Sequence, residues 1–207
     1  MYDKAMSAAV DTAQRRLMNT SGSDSVLMAT ACDLKELCDL TEKLDPSGIN
    51  FDKGGLEKLK INSYWSRFEK NYPAMKALFE KLVRSKKILF NSRTTINKFY
   101  NEYSEAYEKF KAVPQEEQDD EYIQQAVIAE NMYHLMKNSV SEHELFFTHL
   151  DKVINILDSS MDMAIYLARK STGSSIGDYI KATPVSVTNS DYQDRFRDLN
   201  NLLNNDK

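Results

Sequence analysis

The sequence predicts an all-α protein: an elongated helical bundle built around a long antiparallel, coiled-coil-like hairpin. Three observations predict it. Residues 115 to 172 run without a single glycine or proline. All six glycines fall in three gaps, at Gly22, at Gly48, Gly54 and Gly55, and at Gly173 and Gly177. Alternating β-branched runs are absent apart from the short PVSVT at 184 to 188, so nothing of strand length competes with the helices.

Taken in order, residues 3 to 18 read as a first helix with Met6, Val10, Ala13 and Leu17 on one face. The loop around Gly22 follows, and Ser23 or Asp24 is placed to cap a second helix reaching about Leu44, with Leu27, Leu34, Leu37 and Leu44 inward. The segment DPSGINFDKGG is a loop. From about 56 to 113, steps of three and four give Ile61, Tyr64, Phe68, then Met75, Leu78, Leu82, Ser85, Leu89, Ser92, Ile96, Phe99, Tyr103, Ala106 and Phe110. The phase survives Pro73, which predicts one kinked helix rather than two, since an internal proline removes a hydrogen bond without having to end the helix.

A short acidic connector leads into a second long element, about 118 to 172. Its inward row is Tyr122, Ala126, Ala129, Tyr133, Met136, Val140, His143, Phe147, Leu150, Ile154, Leu157, Met161, Ala164 and Ala168. Such a narrow row belongs to a helix packed side-on against another. A connector this short makes the two long helices antiparallel neighbours. Residues 1 to 172 therefore read as the bundle and 173 to 189 as a linker. Residues 190 to 204 read as a short amphipathic helix, capped by Asn189 or Ser190, whose face is Tyr192, Phe196, Leu199 and Leu203.

Bulk properties narrow the function classes. The chain has 207 residues, 42% hydrophobic and 28% charged, enough to bury a core. No stretch is apolar enough to span a bilayer. The opening MYDKAMSAAVDTAQRR has both signs of charge and no apolar signal-peptide core. A cytoplasmic protein is expected, and secretion without a signal is compatible with the same sequence. Cys32 and Cys38, six apart on a helix, are too distant for a disulfide and read as half-buried thiols.

No phosphate-binding glycine loop, nucleophile elbow or Cys/His pair is present. Zinc spacing is absent, and a ferritin-like site would need Glu-x-x-His on two helices. No metal, cofactor or catalytic residue is expected. His143, the one strongly polar residue in the long row, reads as a polar seam residue of the kind that fixes register.

Residues 53 to 111 carry fourteen Lys or Arg against six acids, and 112 to 207 carry eight against sixteen. Much of this asymmetry cancels if the two segments lie antiparallel. The cluster Arg84, Lys86, Lys87, Arg93 and Lys98 is the candidate for contact with an anionic surface. Aromatics interleave with it, but at helical spacing they read as packing, and the acidic net charge argues against nucleic acid. The amphipathic face of the last helix is the candidate docking face, either on the bundle itself or in a partner's groove.

The function expected is a non-enzymatic scaffold or protein–protein interaction module, with homodimerisation through exposed rows of the bundle. Three long helices, a proline kink and a basic middle segment form a layout similar to that of BAR-type dimers. This likeness of element lengths over about 170 residues, with no motif behind it, implies binding to curved anionic membranes. A secreted helical-bundle effector or toxin component is the third expectation, although the apolar tongue of pore-forming bundles is missing from the sequence.

Overall fold

A computed structural model describes residues 21–55, 57–114, 119–172 and 186–204. They form four helices, α1 (Ser21–Lys43), α2 (Glu57–Lys111), α3 (Asp120–Thr172) and α4 (Asn189–Asn204), and no strand occurs among the described residues. The expected helix over 3–18, Gly173 and most of the 173–189 linker lie outside the described residues.

The two long helices keep the phase read from the sequence. No residue of either inward row is exposed; Ser85, Ser92 and Ala106 in α2, and Ala126, Tyr133, Val140 and Phe147 in α3, are half-buried, and the rest are buried. α2 passes through Pro73 without a break. Pro73 is exposed while Phe68, Tyr72, Met75 and Leu78 are buried, so the missing N–H falls on the side where water can serve the orphaned carbonyl.

Helix ends are set by local chemistry. α2 stops at Lys111, where the last turn tightens through Val113 N–H to the Phe110 carbonyl at 3.3 Å, and Pro114 disfavours helical geometry for the residue before it. Asp119 caps α3, accepting from the Tyr122 N–H at 2.7 Å. The cap of α4 is Thr188 rather than Asn189 or Ser190. Thr188 Oγ1 accepts from the Asp191 N–H at 3.2 Å and Asp191 Oδ2 from the Thr188 N–H at 2.9 Å. This reciprocal pair is a capping box, and it holds the Asp191 carboxyl below its ordinary range.

The chain divides into two compact units. Unit 1 comprises Met1–Met28 and Lys86–Thr148. Its described part is the beginning of α1 and an antiparallel pair of stretches from α2 and α3. Phe110 meets Tyr122, Tyr107 meets Tyr133, and Phe90 meets Phe147, with ring centroids 5.4, 5.1 and 6.0 Å apart. Two small clusters lie along it, Phe99–Tyr103–Met136 and Phe110–Tyr122–Ala129. Tyr122 Oη donates to the Phe110 carbonyl and pins the helix ends together.

Unit 2 comprises Ala29–Ser85 and His149–Lys207. Here α1 runs antiparallel to α2, with Asp33 bound to Lys81 at 3.2 Å near one end and the Leu44 carbonyl bound to Tyr64 at the other. The loop after α1 turns at Gly48, whose φ of 78° suits glycine. It carries Phe51 into a cluster with Tyr64, Trp65, Phe68 and Tyr192. Beyond the expected leucines, α1 buries Leu40 and two polar residues, Thr30 and Thr41, both fully. Thr41 satisfies its hydroxyl by donating to the Cys38 carbonyl at 3.0 Å. Cys38 is buried as well, but Cys32 is exposed rather than half-buried.

Candidate functional site

The basic cluster is divided between the two units. Arg84 belongs to unit 2 and Lys86, Lys87, Arg93 and Lys98 to unit 1. Arg84 is exposed and donates from Nε to the Glu80 carbonyl at 3.2 Å. In unit 1, Arg93 reaches across to α3, binding Glu144 at 2.5 Å and lying 5.5 Å from the Phe147 ring centroid. The half-buried Lys86 stands 5.9 Å from the same ring. Lys98 is 3.9 Å from Glu102 on its own helix. Four of the five therefore make intramolecular contacts, and Lys87 is exposed.

His143 lies in the unit 1 seam at 8% exposure. Its Nδ1 is 2.9 Å from the Ser139 carbonyl. A carbonyl only accepts, so Nδ1 carries a proton, and in the neutral ring Nε2 is the acceptor. Nε2 is buried with no hydrogen-bond partner among the described residues. A buried acceptor left unmatched costs about 1–3 kcal/mol. The His143→Leu variant is expected to be more stable than the native chain by about 1 kcal/mol, measured by urea unfolding. A loss of stability would mean that Nε2 is satisfied in solution.

The α4 face packs inside unit 2. Tyr192, Phe196 and Leu199 are 0%, 1% and 0% exposed, and Leu203 is half-buried. Gln193 Nε2 donates to the Pro46 and Ile49 carbonyls at 3.0 and 2.9 Å. At the far end Cys38 Sγ is 3.4 Å from Asn204 Oδ1. The Tyr64 and Tyr192 hydroxyls are 2.6 Å apart. Because Tyr64 gives its proton to the Leu44 carbonyl at 3.0 Å, Tyr192 must donate to Tyr64.

Burial pushes both phenols well above their ordinary range; the hydrogen bond from Tyr192 opposes this at Tyr64 and adds to it at Tyr192. In unit 1 burial pushes Tyr103 up to about 12, with Glu102 adding to the shift. A phenol whose pKa rises on folding holds its proton more tightly in the folded state. Its contribution is full below about pH 10, the unfolded value, and is lost as pH climbs from there towards the folded value. Urea midpoints are expected to fall steadily above about pH 10, and the Tyr64→Phe, Tyr192→Phe double variant should show a shallower fall. Equal slopes would remove this pair as the cause.

A cleft of about 440 Å³ beside the unit 2 loop is lined by Asp45, Ser47, Lys60, Ser63 and Arg67 among others. Lys60 is bound to Glu57 at 3.0 Å, and charges of both signs offset each other there. No group of three or more His, Cys, Asp or Glu suited to a metal ion stands among the described residues. No helix among them is long and apolar enough to cross a membrane.

The sequence reading missed the exposed apolar side chains of unit 1. Of nine large hydrophobics that face solvent among the described residues, Met28, Ile88, Phe90, Ile123, Val127, Leu135 and Leu145 belong to this unit, and Leu59 and Val83 to the other. Ile123 and Val127 also line a cleft of about 250 Å³ with Tyr107 and Lys111. Along α3 the inward row is the more apolar, and the signal of the outer one is the run of uncharged residues at helical spacing from Val127 to Leu145. Comparison of the chain with protein-family models, curated proteins and solved structures finds no match.

Proposed function

We propose that the chain is a non-enzymatic, cytoplasmic helical interaction module that self-associates as a homodimer. The observation that supports this reading is the concentration of solvent-facing hydrophobics on unit 1. Scattered exposed apolar residues are ordinary, but side chains of this size gathered on one small unit mark surfaces that contact other molecules. A pair of packed helix stretches also has outer flanks that further helices can cover.

Sedimentation equilibrium of the full chain over a wide concentration range tests the reading. The expected mass at the upper end is twice the 23.8 kDa of one chain. A single-chain mass throughout would overturn the homodimer.

A further inference from the structure

On the outward side of α3 in unit 1, Val127, Asn131, His134, Asn138, Ser141 and Leu145 follow one another at alternating steps of four and three. All six are exposed. They form a second helical row outside the buried seam, bordering α2 where Val127 lines the cleft with Tyr107 and His134 lies 6.4 Å from the Tyr107 ring, and none carries a formal charge except His134 when protonated. In a chain with 28% charged residues, water alone does not call for an uncharged row at this spacing, whereas a helix lying against it does.

We infer that the row is the contact between two copies of this chain, with α3 of one lying parallel and in register with α3 of the other between Val127 and Leu145. The inference rests on the homodimer reading and specifies its surface.

Three features favour this occupant and this direction. In a parallel pair each row residue faces its own counterpart, so Asn131 meets Asn131 and Asn138 meets Asn138. A carboxamide both donates and accepts, so like pairs satisfy each other, and asparagine at such core positions fixes register and favours two strands. The flanks also match. Lys137 and Glu142 are in no ion pair among the described residues, and their five-residue spacing is the one that pairs across a parallel two-stranded contact. Lys137 of each copy then meets Glu142 of the other, and Ile123 meets Ile128 in the same way. Turning one helix round so that Val127 faces Leu145 brings Lys137 beside Lys137, which repel.

The test uses the full chain with Cys32→Ser, which removes the exposed native thiol. Val127→Cys and Leu145→Cys are made separately and oxidised mildly. In the parallel arrangement each variant alone forms a disulfide-linked dimer, because counterparts on such a row approach within the roughly 7 Å between Cα atoms that a disulfide spans. Cross-linking only when the two variants are mixed would overturn the parallel arrangement. The Lys137→Glu variant is expected to weaken dimerisation about tenfold, and Lys137→Glu combined with Glu142→Lys to restore it. A dimeric native chain whose variants neither cross-link nor respond to the charge swap sinks this surface and leaves self-association standing. A monomeric native chain sinks both.

Discussion

Replacing Tyr192 with alanine is expected to cost unit 2 about 3–5 kcal/mol, the range for deleting a large buried aromatic. The side chain is fully buried, lies 5.7 Å from Phe196 and 6.3 Å from Trp65 between ring centroids, and supplies one of the hydrogen bonds that hold α4. Its loss opens a cavity on the anchor row of a helix only 16 residues long, which has little stability of its own in water.

The hydroxyl chain makes the milder variants informative. Tyr192→Phe removes a donor but leaves Tyr64 bound to the Leu44 carbonyl, and should cost about 1 kcal/mol. Tyr64→Phe strips both the Leu44 carbonyl and the Tyr192 hydroxyl of their partner, and should cost about 2–3 kcal/mol. Trp65, the only tryptophan, is 3% exposed in this cluster, so its emission during urea unfolding reports the site directly. Tyr192→Phe proving the costlier of the two would reverse the proton order derived from the geometry.

The second large effect belongs to the α3 row in unit 2. Leu157 is fully buried, and Leu157→Asp is expected to cost several kcal/mol at neutral pH by placing an unpaired carboxyl among apolar side chains. Burial raises the folded pKa of such a group above its unfolded value of about 3.9, so the folded state holds the proton more tightly. The penalty is therefore smallest below about pH 4 and grows as pH rises through the folded value. Urea unfolding of variant and native chain at matched pH values measures the difference between them. A difference independent of pH would show that water reaches position 157.

What could be read from the sequence followed from periodicity. The rows of α2 and α3 were legible because a long helix packed along its length repeats the same demand every three or four residues, and the phase carried across Pro73. Thr30 and Thr41 were not legible as core residues, since a threonine hydroxyl looks polar in the sequence; that of Thr41 is satisfied by bonding back to the Cys38 carbonyl on its own helix. The cap of α4 was displaced to Thr188 because the sequence offers several capping side chains in a row, and only backbone geometry decides which pair bonds reciprocally.

The candidate surfaces were less legible for a related reason. Arg84, Lys86, Lys87, Arg93 and Lys98 read as a cluster along one segment, but whether a cation is free depends on what stands opposite. Glu144, which engages Arg93, is 51 positions further along the chain and becomes its neighbour only through the register of the hairpin. The apolar face of α4 announced that something covers it without saying what; the covering residues Tyr64 and Pro46 lie 128 and 147 or fewer positions away.

The order of the two units along the chain bears on how the protein is made. Unit 1 includes a stretch, Lys86–Thr148, placed between the two halves of unit 2. Contacts within that stretch close short loops, such as Phe110 with Tyr122 and Tyr107 with Glu130, at separations of 12 and 23 residues. Unit 2 depends on Asp52 with Lys170, Tyr64 with Tyr192 and Cys38 with Asn204, at separations of 118, 128 and 166. Because a chain leaves the ribosome from its N-terminus and local contacts form first, the 86–148 hairpin can assemble while the aromatic floor around Tyr64 and Trp65 still awaits its cover. Throughout synthesis of the α3 and α4 segments that floor is a sticky, nascent surface, and it is the part of the molecule a ribosome-associated chaperone would have most reason to shield.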